Sequence, residues 1–202
     1  IYAEAARRVL AEGRNVLYLV PEIALSRQLE ERLFGYFGDR LMTFHSAQTA
    51  ASKRNIADRI RNSESRDGYI VLGTRSSLFL PHHDLGLIII DEEHDSSYKQ
   101  DSPAPRYNGR DTALMLAKIQ RSHVILGSAT PSLESLYNCQ AGKYSLISLN
   151  ERFHGSENSA VEIIDTRAER RKKGMRGSFS IKLIEHIRRT LEAGEQVIIL
   201  RS

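Results

Sequence analysis

Five short stretches of the chain are almost continuously apolar and lack the alternation of apolar and polar residues that marks a half-exposed strand. Such a stretch is typical of a strand that is buried on both faces of a parallel sheet. Polar or turn-forming residues follow each stretch and limit its length. The predicted strands are residues 15–20, 41–44, 69–72, 87–90 and 123–126.

Helical patterns lie between these strands. Residues 1–12 are rich in Ala, Leu, Glu and Arg, and Gly13 is a suitable residue to end that helix. Further helices are predicted after Pro21 and Glu22 as far as about residue 37, at 52–62, and at about 111–121. Because strands and helices alternate, we predict an α/β fold of three layers, with a parallel sheet between two layers of helices.

The pattern changes after residue 150. Residues 161–165 predict one more strand, and residues 167–176 carry six Lys and Arg side chains, which indicates a mobile, solvated linker. A helix at 181–193 and a strand at 196–200 follow. We therefore expect three parts. They are a first lobe over 1–150, a last strand with a basic linker over 151–178, and the start of a second lobe over 179–202.

The end of the chain repeats the pattern of its beginning. Residues 7–19 and residues 188–200 share one pattern, in which an amphipathic helix is followed by a glycine and then by an apolar strand. Helix–glycine–strand units are common, so coincidence is one explanation. The other is that a second lobe of the same architecture begins near residue 178 and is cut off.

Composition narrows the class of protein. The 202 residues are 41% hydrophobic and 27% charged, and no apolar run reaches the length of a membrane span. Residues 1–12 predict a helix with Arg7 and Arg8 inside it, not a signal peptide. The single cysteine, Cys139, excludes an internal disulfide and a multi-cysteine zinc site, and it fits a reducing cytoplasm. A net charge of +4 permits nucleic acid as a partner without requiring it.

An acidic cluster follows the strand at 87–90. Asp91, Glu92, Glu93 and His94 stand where that strand ends, and in open α/β sheets ligands bind at this edge. One carboxylate there can hold the Mg²⁺ of a nucleotide, while a second orients the attacking water. The alternative is an acidic turn that happens to follow a strand.

Polar clusters end all five predicted strands. Since parallel strands point the same way, these clusters should lie along one edge of the domain. Gly and Thr allow close approach of backbone N–H groups to phosphates, and an arginine adds a charged contact. Each cluster alone is more often a simple turn, but five on one edge favour a functional site. They are Pro21-Glu22, His45-Ser46, Gly73-Thr74-Arg75-Ser76, Asp91-Glu92-Glu93-His94 and Gly127-Ser128-Ala129-Thr130.

The amino-acid sequences of these clusters resemble the motifs of superfamily 2 helicases. The acidic cluster resembles motif II, the Walker B box, and residues 127–132 resemble motif III. Residues 19–25 resemble motif Ia, and residues 73–79 resemble motif Ib. Residues 91–100, together with Arg106-Tyr107 and Arg110-Asp111, are similar to the PriA family of replication-restart helicases, also called primosomal protein N′.

The resemblance implies a RecA-like helicase lobe of the P-loop NTPase fold, truncated at its start. It implies an ATP-dependent DNA helicase that moves 3′ to 5′ and reopens stalled forks, with ATP and Mg²⁺ as cofactors. Single-stranded DNA, forked DNA and other primosome proteins would be its partners, in the bacterial cytoplasm and near the nucleoid. By matching position, Asp91 would bind Mg²⁺ and Glu92 would activate the hydrolytic water. Hydrolysis would be coupled to strand movement by His94, Ser128, Ala129 and Thr130.

The same resemblance implies a track for single-stranded DNA. The residues along it would be Pro21, Glu22, Gly73, Thr74 and Arg75. The loop at 98–107 matches the aromatic-rich loop that senses DNA in this family. Its Tyr98 and Tyr107 could stack on bases, with Lys99 and Arg106 near phosphates. The alternative is a surface loop whose tyrosines pack on the lobe. Ala104-Pro105 stand where a further aromatic residue is common, which weakens base stacking.

One motif of the family is missing from the sequence. No Gly-x-x-x-x-Gly-Lys-[Ser/Thr] phosphate loop occurs in the 202 residues. Without that cradle we expect little or no ATP hydrolysis from this chain alone. Two alternative functions are another superfamily 2 DNA translocase and a non-catalytic lobe for DNA binding or scaffolding.

Two structural expectations follow. Asp91 and Glu92 should line the same cleft as Ser128 and Thr130. The strand that leads into a phosphate loop should lie inside the sheet, so its absence should leave a gap. Residues 196–200 would then pair with that sheet, in the same chain or through self-association with a neighbouring one.

Overall fold

The computed structural model describes residues 1–63, 68–149 and 160–200, which fall into two compact units. The first unit is Ile1–Leu146 and the second is Ile147–Ser202. Within the described ranges, no helix combines the length and the apolarity that crossing a lipid bilayer requires.

A five-stranded parallel sheet forms the centre of the first unit. Its strands stand in the order β2-β3-β1-β4-β5. All five predicted strands are present, with ends shifted by no more than two residues. They are β1 (Asn15–Leu19), β2 (Leu41–Phe44), β3 (Ile70–Gly73), β4 (Leu85–Ile90) and β5 (His123–Leu126).

Helices cover both faces of this sheet and confirm the three-layer prediction. The helices are α1 (Tyr2–Ala11), α2 (Arg27–Phe37), α3 (Ala50–Asn62), α4 (Gly109–Gln120) and α5 (Leu133–Gln140). Helices α1 and α2 pack on one face through Ala6, Leu10, Leu33 and Phe37. Helices α3 and α4 pack on the other through Ile56, Ile60, Ala113 and Ala117. Every residue of β1, β3 and β4 is buried, as unalternating apolar strands require.

Side-chain caps determine where the helices begin. Ser26 accepts a hydrogen bond from the Leu29 amide, so α2 starts at Arg27, several residues beyond the predicted start after Glu22. Asn108 accepts from the amides of Arg110 and Asp111, and α4 therefore begins at Gly109, ahead of the predicted residue 111.

The sheet has no gap, and the expectation of one is wrong. Strand β1 pairs with β3 on one side and with β4 on the other, and β4 pairs directly with β5. Strand β5 lies at an edge of the sheet, where His123 is exposed and the other three residues are half-buried.

The second unit differs from its prediction. Residues 160–165 form no strand, and Val161 and Ile163 are exposed. The basic run is ordered as a short helix, α6 (Thr166–Arg171), because Asp165 accepts hydrogen bonds from the amides of Arg167 and Ala168. A small hairpin of β6 (Met175–Arg176) and β7 (Phe179–Ser180) then leads into α7 (Ile181–Glu192). The prediction of a strand at 161–165 is therefore wrong, and the first part of the predicted basic linker is helical.

Residues 196–200 form no strand either, so the predicted pairing of this segment with the sheet is wrong. Ile198 and Leu200 are 96% and 97% exposed. The physical reason is that an apolar run forms a strand only where a neighbouring strand accepts its backbone hydrogen bonds. Residues 196–200 have no such partner within the described part of the chain.

Candidate functional site

The site lies where β4 and β5 end, at the carboxyl edge of the sheet. Backbone hydrogen bonds continue past both strands, from the Gly127 amide to the Ile90 carbonyl at 2.8 Å and from the Glu93 amide to the Gly127 carbonyl at 3.0 Å. These bonds hold the acidic turn directly beside the segment that starts at Gly127. The expectation that Asp91 and Glu92 share an edge with Ser128 and Thr130 is confirmed.

Tyrosine hydroxyls surround Asp91. The Tyr2 hydroxyl donates to Oδ1 at 3.0 Å, and the Tyr18 hydroxyl reaches Oδ2 at 3.4 Å. The Tyr98 hydroxyl donates to the Asp91 backbone carbonyl at 2.8 Å. Burial, and then the charge of Asp91, raises the pKa of Tyr2 and of Tyr18, so both remain protonated donors. They hold the carboxylate in one orientation.

Gly127 makes this arrangement possible. A Cβ atom at this position would lie 1.6 Å from the Tyr2 hydroxyl and 3.3 Å from Oδ1 of Asp91. Only a residue without a side chain lets the Tyr2 hydroxyl reach Asp91 across this segment.

Glu92 is turned away from the sheet. Its φ angle is +48°, in the left-handed region that non-glycine residues seldom adopt. Its side chain is 45% exposed, and Oε2 lies 3.5 Å from Nδ1 of His94. The backbone therefore presents a solvent-accessible carboxylate next to Asp91, at a conformational cost that is common at functional sites.

His94 connects the acidic turn to the segment after β5. Its Nδ1 lies 2.7 Å from the Ser128 hydroxyl, and its Nε2 lies 3.3 Å from the Thr130 hydroxyl. The Thr130 amide also donates to the Ser128 hydroxyl at 3.0 Å. Ala129, between these two hydroxyls, is exposed. A change in the position of His94 would therefore alter its contacts with both hydroxyl groups.

Glu93 is buried and its carboxylate accepts four hydrogen bonds, a role that its place in the predicted acidic cluster did not indicate. The residue is 3% exposed, and its carboxylate accepts hydrogen bonds from Arg110 at 3.1 Å and from the Ser132 amide at 2.7 Å. The hydroxyls of Ser132 and Ser135 donate to it at 3.0 and 2.9 Å. Burial alone would raise the Glu93 pKa, but these hydrogen bonds outweigh burial and lower it. No spacing in the sequence indicates these partners, because they come from two later helices.

The residues expected along a DNA track are divided between surface and interior. Glu22 is exposed, but Pro21 is buried at the end of β1, and Thr74 is 2% exposed. Gly73 is packed so closely that a Cβ would lie 2.7 Å from Ser77. Arg75 is half-buried and donates to the Ser97 carbonyl at 3.0 Å. Glu22 and part of Arg75 are therefore the accessible members of this group.

The loop at 98–107 corrects one prediction. Tyr98 is 2% exposed, so the expectation that it stacks on a base is wrong; its ring lies in the core and its hydroxyl supports Asp91. Tyr107 is half-buried, with the Arg75 guanidinium 5.4 Å from its ring centroid. Lys99 and Arg106 are exposed and line a surface hollow of about 300 Å³ with Gln100, Asp101, Tyr107 and Asn108.

Asp91 fits the type of magnesium site that accompanies a nucleotide. Nowhere in the described part of the chain do three or more His, Cys, Asp or Glu residues stand close enough to hold a metal ion by themselves. Mg²⁺ bound with a nucleotide is ordinarily held by one or two carboxylates together with phosphates and water. The Asp91 carboxylate, oriented by the hydroxyls of Tyr2 and Tyr18, could supply one such ligand.

Comparison with known proteins identifies the family. Residues 1–139 match the family model described as DEAD/DEAH box helicase. The chain is 40% identical to the Replication restart protein PriA of Bacillus subtilis and 42% identical to that of Rickettsia prowazekii, over 98% of its length in each case. It spans only 24% and 30% of the length of those two proteins. These identities confirm the resemblance drawn from the motifs.

Solved structures add little. The C-terminal part of the Fun30 ATPase domain aligns over 74% of this chain and 45% of its own, with a TM-score of 0.44 at 10% identity, and that similarity is too low to support a conclusion. The match over residues 1–139 is decisive, and the chain belongs to the DEAD/DEAH box helicase family.

Proposed function

We propose that this chain is part of an ATP-dependent DNA helicase of replication restart that moves 3′ to 5′ on single-stranded DNA. The observation that carries the proposal is the position of His94. It lies within 3.5 Å of Glu92 on one side and within hydrogen-bond distance of Ser128 and Thr130 on the other. A group placed in this way connects a hydrolytic carboxylate to the next segment of the sheet edge.

Two carboxylates carry the chemical step in this proposal. Asp91, held by Tyr2 and Tyr18, binds the Mg²⁺ that accompanies ATP. When bound, Mg²⁺ offsets the negative charge of the phosphates. Glu92 is accessible to solvent and orients the attacking water, since its carboxylate accepts a hydrogen bond from that water and draws it into line.

His94 passes the change at Glu92 to the segment after β5. Loss of the γ-phosphate alters the charge next to Glu92, and His94 responds because it is only 3.5 Å away. Reorientation of the imidazole changes its contacts with Ser128 and Thr130, and the segment that includes Ala129 shifts with them. Coupling through adjacent hydrogen bonds of this kind needs no long pathway.

The DNA track lies along the same edge in this proposal. Glu22, Arg75, Lys99, Arg106 and Tyr107 offer accessible side chains there. Pro21, Gly73 and Thr74 contribute backbone shape, since their side chains are buried or absent. Forked DNA and other primosome proteins are the partners proposed for the complete protein, in the cytoplasm and near the nucleoid. Residues 179–202 begin a second lobe in this proposal.

The test uses the protein produced from the complete reading frame that contains these residues. Glu92→Gln keeps the size of the side chain but removes its charge, so ATP turnover should fall by about 10²–10³-fold. Binding of ATP and of DNA should be unchanged. Glu30→Gln, on the exposed surface of α2, is the matched control and should leave turnover unchanged.

Three outcomes would redirect the proposal. Near-normal turnover of Glu92→Gln removes Glu92 from its role. DNA-stimulated turnover without 3′-to-5′ unwinding indicates another superfamily 2 translocase. DNA binding without any turnover in the wild-type protein indicates a non-catalytic binding or scaffolding lobe.

A further inference from the structure

An exposed aromatic ring stands beside the loop at 98–107. Phe79 ends the short 3₁₀ helix Arg75–Phe79, which follows β3 at the carboxyl edge of the sheet. Its side chain is 65% exposed, although phenylalanine is among the residues most often buried in a fold. Packing within the described residues therefore covers only part of this side chain.

Phe79 is supported by its neighbours from one side. Its ring meets that of Tyr107 edge to face, with centroids 5.1 Å apart and planes at 88°. The Arg75 guanidinium lies 5.4 Å from the centroid of the same Tyr107 ring and donates to the Ser97 carbonyl. These contacts fix Tyr107 and leave most of the Phe79 ring facing solvent.

The charges nearby suit a nucleic-acid backbone. The hollow next to Tyr107 is lined by the exposed cations Lys99 and Arg106, with one opposing carboxylate from Asp101. An aromatic ring beside such a cationic surface is the arrangement that binds single strands, because bases stack on the ring while cations contact the phosphates.

We propose that Phe79 is the ring on which a base of single-stranded DNA stacks, and that Tyr107 and Arg75 hold this ring in place. The inference rests on the proposed function, since it specifies one contact of the DNA track. It assigns the stacking role to a residue outside the 98–107 loop. Tyr98 is buried and Tyr107 is half-buried against Phe79 and Arg75, whereas more of the ring of Phe79 is accessible.

The absence of tryptophan from the chain allows a direct test. Phe79→Trp introduces the single tryptophan of the 202-residue chain, and a base that stacks on its indole quenches its fluorescence. The probe is an oligodeoxythymidine labelled with fluorescein, so that anisotropy reports binding separately. Phe34→Trp is the matched control, because Phe34 is a 53% exposed phenylalanine on α2. We expect quenching at position 79 and none at position 34.

The substitution Phe79→Ala measures the affinity that stacking contributes. We expect binding of the oligonucleotide to weaken by roughly 5- to 150-fold, the range for loss of one stacked base. Phe79→Tyr should restore most of the affinity because it keeps the ring. Phe34→Ala should have no effect. An abasic oligonucleotide of the same length should bind Phe79→Ala with the same affinity as the thymidine oligonucleotide does. It should not quench the fluorescence of Phe79→Trp.

Each contrary result overturns the inference in a recognisable way. An anisotropy change without quenching of Phe79→Trp shows that the chain binds DNA elsewhere, which leaves the proposed function intact. Quenching by the abasic oligonucleotide excludes a stacked base. If the wild-type chain does not bind the oligonucleotide at low salt, both the stacking role and the DNA track of this chain fall together.

Discussion

The turn after β4 has two halves that use similar residues in opposite ways. Glu93 is buried, and Arg110, Ser132 and Ser135 donate to its carboxylate. Glu92, its neighbour in the chain, is 45% exposed, and its carboxylate lies 3.5 Å from Nδ1 of His94. The two consecutive carboxylates therefore differ: that of Glu93 holds the turn in place, and that of Glu92 is accessible to solvent. The difference comes from what later elements bring to each residue, and not from the residue type.

The largest expected effect is that of Glu93→Ala. Removing the carboxylate leaves the Arg110 guanidinium, whose side chain is only 12% exposed, with Asp111 as its remaining ion pair. It also removes the buried acceptor of the Ser132 and Ser135 hydroxyls. Loss of one member of a buried pair costs about 3–5 kcal/mol of the free energy of unfolding. Urea unfolding of the chain, followed by far-ultraviolet circular dichroism, measures this change.

Glu92→Gln is the matched comparison for that measurement. It alters an exposed carboxylate in the same turn, so the free energy of unfolding should change by less than about 0.5 kcal/mol. Equal effects of Glu93→Ala and Glu92→Gln would show that the two halves of the turn do not differ as described.

The second expected effect is a pH dependence of the free energy of unfolding, in which His82 and Glu93 act over different pH ranges. Burial lowers the pKa of His82 to about 4, and Nδ1 of its ring has no hydrogen-bond partner among the described residues. In the unfolded chain the pKa is about 6.5, so the unfolded state binds more protons between these values. Stability should therefore be lost as the pH falls from about 6.5 to about 4, by up to about 3 kcal/mol.

Glu93 affects the free energy of unfolding at a lower pH than His82 does. Its pKa in the fold is below the usual value, so its stabilisation is lost only as the pH falls below about 4.5. His82→Asn should remove the loss of stability between pH 6.5 and pH 4 that the preceding paragraph describes, and should keep the loss at lower pH. His123→Asn, at an exposed position, should change neither loss. Thermal unfolding midpoints between pH 3 and pH 8 test this order, and a single acid transition unaffected by His82→Asn would contradict it.

The smallest expected effect on stability is that of His94→Ala. Its side chain is 35% exposed and its partners are hydroxyls near the surface, so the free energy of unfolding should change by about 0.5 kcal/mol or less. In the complete protein, the same substitution should reduce the ratio of DNA-stimulated to basal ATP turnover. A loss of stability close to that of Glu93→Ala would place His94 in the structural half of the turn.

The sequence predicted the parts of the fold that depend on local pattern. Strands β2 and β5 begin and end where their apolar runs do, because polar or turn-forming residues limit each run. The acidic turn and the segment after β5 were placed together because parallel strands end at one edge. Residues 161–165 and 196–200 also contain apolar runs, yet neither is a strand, since a strand also requires a neighbour.

The partners of Glu93 and the burial of Tyr98 could not be predicted. Arg110 and Ser132 lie 17 and 39 residues further along the chain, and their approach depends on where α4 and α5 begin. Tyr98 carries the same phenol as Tyr107, and composition cannot tell which of the two faces the core. The caps at Asn108 and Ser132 decide these positions, and their consequences appear only in three dimensions.

Ser132 links local melting of a helix to the geometry of the turn. Its hydroxyl accepts from the Ser135 amide as the cap of α5, accepts from Arg110, and donates to Glu93. Fraying of the first turn of α5 therefore removes a hydrogen-bond donor from Glu93. Loosening of the acidic turn in return frees the Ser132 side chain that caps α5. The two events form one cooperative opening unit, and amide hydrogen exchange at Ser135 should follow that at Glu93.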